Sequence, residues 1–469
     1  MIPSSQRYLS LAGPFFVVIL GLGAGACGAP DYLSIDKLMD PDECMSCHPD
    51  HYEQWAGSMH AYAADDPVFL AMNRRGQEET QGELGDFCVK CHAPVAVHTG
   101  ATTDGLNLAG LPQHLKGVTC YACHAVAAVE GTHNNPLVLR DDGLMRGGIS
   151  NPVANEGHKA AYSPLHDRDD IASSDLCGSC HDIVTPAGVH LERTFKEWQD
   201  SIFARNGVPS ANLSCSKCHM IGDRPGVVAD YDGVPLRRPK DHAFPGVDVA
   251  MTPWPGKDAQ LAGIERDLFG AVNPKLCPDA QAGPLRFTYT LDNVNAGHML
   301  PSGAAQDRRG WVEFTAFDAQ DAIIFQSGIV AADQAVADVV TAGDMALWQL
   351  GDVGRDEAGQ VAHMFWNIRT VDSDLLPPAV TNDRNDPAFN HSVSRSYPSA
   401  TGAFPVLPAR VTARVHLRPL DFDVIDDLIA SGHLDASIRA EIVTFTLTGT
   451  ELEWRAAEHG QSCVSRATP

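Results

Sequence analysis

Ten of the thirteen cysteines fall into five copies of one spacing, Cys-x-x-Cys-His: Cys44, Cys47 and His48; Cys88, Cys91 and His92; Cys120, Cys123 and His124; Cys177, Cys180 and His181; Cys215, Cys218 and His219. At the chain's own cysteine and histidine frequencies, roughly 0.02 such matches would arise by chance. Two cysteines three apart lie on one side of a helical turn, where both thiols can form thioethers to the vinyl groups of one porphyrin. The adjacent histidine then projects beneath the ring and ligates iron. The pattern therefore points to five covalently attached haems c, with those ten cysteines as attachment points and His48, His92, His124, His181 and His219 as proximal ligands. Zinc sites and thioredoxin-like dithiols also use Cys-x-x-Cys. Zinc does not ask for a histidine directly after each pair, and a redox dithiol does not recur five times.

Of 20 histidines, fifteen remain for at most five distal positions, so a satisfied or surface role is the default for each. Context singles out His60, on an aromatic segment close to the first motif, and His158 and His166, in a polar loop before the fourth. His242 precedes a rigid Pro-Gly turn, and His298 lies in Asn295-Ala-Gly-His298-Met-Leu-Pro-Ser-Gly303. The choice between His158 and His166 stays open at this level. His51, His98, His114 and His133 remain possible, and the five histidines after His298 read as ordinary residues. Met299 competes with His298, although a methionine at a strand end is more often core.

Residues 31–250 hold every motif and much glycine and proline, which predicts short helices and irregular loops wrapped round five haems. Only 7% of the chain is aromatic, consistent with porphyrin supplying the filling. Tyr52 to Ala61 reads as a helix with Tyr52, Trp55 and Met59 on one face. It recurs as Phe195 to Ala204, with aromatic, Trp, Ser and Ala in register and Phe203 where the first copy has His60. Residues 251–283 read as a linker within a Pro- and Gly-rich stretch that begins near 240. Over 284–465, alternating runs at Leu285–Leu291, Trp311–Phe317, Ala322–Phe325, Val411–Leu417 and Val443–Gly449 predict an antiparallel β-sandwich, interrupted by one helix near Phe422–Ser431. The fold class is mixed.

The net charge of −25 argues against nucleic acid as a partner. Residues 1–26 read as a signal peptide, with Arg7, an apolar stretch from Leu9 to Gly23 and a small-residue cleavage site at Ala24-Gly25-Ala26. Cleavage there leaves Cys27 first, as in a lipoprotein, but Ala24 is not the bulky aliphatic usual at that position. Membrane attachment through a lipidated Cys27 and simple export are therefore both kept. Cys277 and Cys463 are then left as a possible disulfide, worth on the order of 4–5 kcal/mol in the chain-entropy model. Arg237-Arg238-Pro239-Lys240 and Arg308-Arg309 read as solvated surface charge, with a role near an open iron as the rival reading.

The run Cys44-Met-Ser-Cys47-His48-Pro-Asp-His-Tyr52-Glu-Gln-Trp55-Ala-Gly-Ser58-Met-His60-Ala61 resembles the opening of the multihaem cytochromes related to the tetrahaem cytochrome c of ammonia oxidation. Leu176-Cys-Gly-Ser-Cys180-His181-Asp182, Thr194-Phe-Lys-Glu-Trp198, Cys215-Ser-Lys-Cys218-His219-Met220, His242-Ala-Phe-Pro-Gly246 and Gly297-His298-Met-Leu-Pro-Ser-Gly303 resemble members with a C-terminal β domain. The resemblance implies closely packed haems along which electrons hop, and it favours His60, His242 and His298 as distal ligands. The fifth motif and the added β region depart from the tetrahaem pattern. The Cys-x-x-Cys-Lys motif of pentahaem nitrite reductases is absent.

The expected function is electron transfer in the periplasm or at the cell surface, with other cytochromes or a terminal reductase as redox partners and assembly into a larger complex as an option. The rival is a multihaem oxidoreductase acting on a small nitrogen or sulfur compound at one five-coordinate haem.

Overall fold

The computed structural model describes residues 32–205, 212–222, 224–279, 284–399 and 402–466. The expected signal peptide and Cys27 lie outside them.

Around the motifs the helices are short. All five motifs overlap helices of four to six residues, at Pro41–Met45, Val89–His92, Cys120–His124, Ser173–Gly178 and Cys215–His219. Helices this short are unstable alone in water, so their shape depends on what they pack against. The longest helix in this region, Pro67–Glu79, starts on strong local signals. Asp66 accepts from the amides of Val68 and Phe69 at 2.8 and 3.1 Å, and Pro67 occupies the first turn, where its missing N–H costs nothing. Three two-stranded ribbons complete the region, one of them parallel (Leu144–Gly147 with Lys159–Tyr162).

The predicted single helix over 52–61 is two helices, Pro49–Ala56 and Met59–Tyr62. Ser58 breaks it, bonding the carbonyl of Trp55 at 2.7 Å and capping the amide of Ala61 at 3.3 Å. The second copy breaks at the same point: Thr194–Asp200 gives way at Ser201 to a 3-10 turn, Ile202–Ala204.

The expected linker, residues 251–283, is ordered over most of its described part. They hold the helix Lys257–Leu268 and the strand Val272–Asp279. Pro274 and Pro278 disguise this strand in the sequence; it lies between Arg286–Asn293 and a two-residue strand, Val464–Ser465.

The C-terminal sheets are antiparallel. In one, Val393–Tyr397, Arg286–Asn293, Val272–Asp279 and Val464–Ser465 lie in that order. The other is centred on Arg309–Phe317 and Arg410–Arg418, paired over nine residues. Trp348–Arg355 and Ile323–Ser327 share the outer side of Arg309–Phe317. Phe445–Thr446 and Leu452–Arg455 share the far side of Arg410–Arg418, and Thr370–Asp374 extends the sheet beyond Trp348–Arg355. Phe287, Tyr289 and Leu291 of the first sheet share one core with Val312, Phe314, Trp348 and Val415 of the second. Burying each such side chain contributes about 1.5–3 kcal/mol. The disulfide Cys277–Cys463 joins residues 186 apart in sequence.

The two regions are joined by a mixed cluster. Val68, Ala71 and Leu84 pack with Met364, Trp366, Ile425 and Leu428 of the C-terminal part, including its helix Phe422–Ala430. Trp366 donates its indole N–H to Glu79 at 2.7 Å.

Candidate haem-binding site

Each motif histidine emerges at or just after the end of a short helix, and most are held by one backbone bond. The Nδ1–H groups of His48, His92, His124 and His219 donate to the carbonyls of Val228, Ala63, Arg146 and Pro245 at 2.7, 2.9, 2.5 and 2.9 Å. Such a bond fixes the tautomer with Nε2 free, the arrangement that an imidazole ligand to a metal needs. Three further histidines share it. His158, His242 and His298 donate Nδ1–H to the carbonyls of Lys159, Lys240 and Met299 at 3.1, 3.0 and 2.8 Å.

Those three histidines, and His60, stand opposite motif histidines across a repeated gap. Ring centroids stand 6.3 Å apart for His48 and His158, 6.3 Å for His60 and His181, 6.5 Å for His124 and His242, and 6.5 Å for His219 and His298. A metal bound to Nε2 of both rings, with bonds of about 2 Å on each side, sets the centroids roughly 6–6.5 Å apart. The donor set therefore fits an iron with two axial imidazoles at four positions. Burial lowers His60 and His242 to about 3 and His298 to about 4, keeping each imidazole neutral, as a metal ligand must be.

The expectation for His166 is corrected. Its ring lies 5.3 Å from that of His124, too near for a metal between them, and its Nε2 is engaged by the carbonyl of Cys123 at 3.0 Å. Among the described residues no imidazole faces His92 across the repeated gap. Its ring neighbour is Phe69, stacked at 3.9 Å and 3°. His51 meets His48 and His242 edge-on, His98 bonds Asp141 at 2.9 Å, and His133 is exposed beside Thr132. Of the late histidines, His391 pairs with Asp292, His416 with Glu313 and His433 with Glu78.

The motifs pack against one another. The thiol of Cys120 meets that of Cys44, the thiol of Cys91 meets Cys180, and the thiol of Cys177 meets Cys215. Cys123 lies within electrostatic reach of Cys177 and Cys180. The third motif therefore joins the first to the fourth, and the fourth also touches the second and fifth.

The repeated aromatic segment positions two of these contacts. Trp55 donates its indole N–H to the carbonyl of Val118 at 2.8 Å, and Trp198 donates to Leu213 at 2.9 Å. Val118 and Leu213 each stand two residues before a motif, the third and the fifth. Their amides return bonds to the carbonyls of His60 and Phe203, the residues that correspond in the two copies, at 2.8 and 2.9 Å. Gly178, inside the fourth motif, is required by this packing: a Cβ there would lie 2.2–2.5 Å from ring carbons of Phe195.

Sequence reasoning missed two kinds of residue. The carbonyls that hold the imidazoles carry no side-chain signature. Arg308 and Arg309, read as solvated, are only 8% and 3% exposed. Arg308 forks onto Asp248 at 2.8 and 2.9 Å, and Arg309 meets Asp423 at 2.9 Å. Arg308 lies within electrostatic reach of His181 and His298.

Residues 43–125 match the sequence model of the family described as cytochrome c554 and c-prime. The fold is similar to that in the crystal structure of a penta-heme cytochrome c552 from Thermochromatium tepidum. The TM-score is 0.59 at 20% identity, over 90% of this chain and 100% of that one. No curated protein matches the chain. The two matches support a relationship to multihaem c-type cytochromes and covalently bound haem c, and with it electron transfer or haem redox chemistry.

Proposed function

We propose that the chain is an electron-transfer protein carrying five haems c. Four have paired axial imidazoles, from His48 and His158, His181 and His60, His124 and His242, and His219 and His298; the fifth has His92 as its only imidazole. The observation that carries this reading is the gap of 6.3–6.5 Å repeated at four motif histidines. Haem, when bound, supplies an iron that cycles between ferric and ferrous states.

The protein's own residues do the rest. Cys44, Cys47, Cys88, Cys91, Cys120, Cys123, Cys177, Cys180, Cys215 and Cys218 anchor the cofactors, and the Nδ1 bonds orient the ligands. The motif contacts set an order in which the first, third and fourth attachment sites follow one another, with the second and fifth each against the fourth. The C-terminal sheets, which we read as a sandwich, cover the fourth and fifth positions through His298. The reading also places the protein outside the cytoplasm, facing redox partner proteins, with Cys27 as an optional lipid anchor. Among the described residues no helix is long and apolar enough to cross a membrane.

A second reading is favoured by His92, which no described imidazole opposes. An iron held there from one side would be open to a small nitrogen or sulfur compound. Optical spectra of the purified protein, reduced with and without carbon monoxide, test both readings. Four haems are expected to be low-spin and indifferent to the gas, and one to respond. Response by two or more would break the four pairings, and no response would remove the site on which the second reading depends.

A further inference from the structure

The duplicated aromatic segment repeats more than its tryptophans. Its first copy, the helix Pro49–Ala56, carries Gln54 directly before Trp55; its second, Thr194–Asp200, carries Glu197 directly before Trp198. Gln54 Oε1 accepts from the backbone N–H of His242 at 2.9 Å, across 188 residues of chain. Glu197 Oε2 accepts from the backbone N–H of Met299, next to His298, at 3.2 Å across 102 residues. A backbone N–H only donates, so in both copies it is a side-chain oxygen that faces the amide. Ser302 donates a second bond to Glu197 Oε2 at 2.6 Å, and its hydroxyl is met in turn by that of Thr194, on the same helix as Glu197, at 2.7 Å.

The end of each segment touches the same loop again. His60 packs edge-on against Phe244, two residues after His242, with ring centroids 4.5 Å apart. Phe203, at the corresponding position, lies against Gly297, where an added Cβ would stand 3.8 Å from its ring. Trp55 and Trp198 meanwhile bond the carbonyls just before the motifs of His124 and His219, the histidines that His242 and His298 face. Each copy therefore reaches both sides of one ligand gap. The Nδ1–H bonds of His242 and His298 go to carbonyls no more than two residues away, at Lys240 and Met299. They fix each ring relative to its own loop but not the loop relative to the motif opposite. That distance needs a contact between segments far apart in sequence.

We propose that Gln54 and Glu197 are positioning residues for the distal imidazoles of His242 and His298, so that the duplicated helix clamps the ligand gap at the third and fifth haem positions. The proposal rests on the paired-imidazole reading above. A loop already held in place loses less freedom when its imidazole binds iron, so the sixth ligand is held more firmly.

Carbon monoxide titration of the reduced, haem-loaded protein tests it, because the gas binds a paired haem only by displacing the distal imidazole. Gln54→Met and Glu197→Met keep side-chain length and remove the acceptor oxygen. Each should lower by about tenfold the gas concentration that displaces one imidazole, a factor equivalent to about 1.4 kcal/mol. The double variant should show the shift at two haems. Gln54→Glu and Glu197→Gln keep an oxygen at the same place and should titrate as the unaltered protein does. If one Met variant fails to assemble, the other decides. An unchanged titration in the Met variants, even with a loss of thermal stability, would overturn the proposal, as would an equal shift in the Gln–Glu exchanges. Four gas-resistant haems in the unaltered protein and in the Met variants alike would sink only the clamp. An unaltered protein that holds no haem, or none resistant to the gas, would sink the paired-imidazole reading with it.

Discussion

Within the motif region alone, the two all-protein core clusters hold six buried residues each, whereas the C-terminal sheets share a single cluster of twenty-five. The sheets also close a long loop with the Cys277–Cys463 disulfide. The motif region has instead ten motif cysteines and pairs of imidazoles facing one another across gaps. The contrast shows two ways of meeting the entropy cost of order. One region buries enough of its own apolar surface; the other consists of short helices and loops that must gather around something the polypeptide does not supply. Their seam, where Trp366 and Glu79 meet and where His298 reaches towards His219, is where the self-sufficient half steadies the dependent one.

Removing one attachment point should break the comparison most sharply. The double change Cys177→Ala with Cys180→Ala takes away the position that touches the second, third and fifth motifs. A pyridine haemochrome assay should count four haems in place of five, and the motif region should lose its ordered near-ultraviolet signal while the sheets keep theirs. Retention of native order would show that protein contacts alone suffice there. In the other half, Cys277→Ser with Cys463→Ser should cost the sheets about 4–5 kcal/mol in the chain-entropy model. The denaturation midpoint of the β signal should drop, with the haem absorption transition left in place. If both transitions move together, the two regions are one cooperative unit and the contrast fails. The smallest effect sharpens the picture within the motif region. Trp55→Phe and Trp198→Phe each delete one indole bond to a backbone carbonyl, at about 1 kcal/mol apiece. Equal losses in thermal unfolding would support a duplicated unit, and a marked inequality would show that the two copies carry different loads.

The sequence was most informative where chemistry demands a rigid spacing. Cys-x-x-Cys-His marks the proposed attachment points because thioether geometry and the proximal ligand need adjacent residues. Alternation showed Arg286–Asn293 and Arg410–Arg418 because mainly one face of each is buried, whereas Arg309–Phe317 is buried on both faces. The strand Val272–Asp279 was hidden by its prolines, and Trp348–Arg355 by glycines at 351 and 354 that break its pattern. His158 and His166, equivalent as letters in one loop, were separated only by the fold. One faces His48 across the ligand gap, and the other is tied by Nε2 to the carbonyl of Cys123.

By itself, then, the sequence determined five Cys-x-x-Cys-His motifs, the ten cysteines and five histidines proposed to hold haem, and that a β-rich region follows. Only the tertiary structure decided which histidine stands opposite which, that His92 stands without a second imidazole among the described residues, and that Arg308 and Arg309 are buried and paired with Asp248 and Asp423. The reason is physical. Attachment is local chemistry written into consecutive residues, whereas axial pairing and burial depend on segments far apart in the chain, 287 residues in the case of Glu79 and Trp366, brought together by packing that no local pattern records.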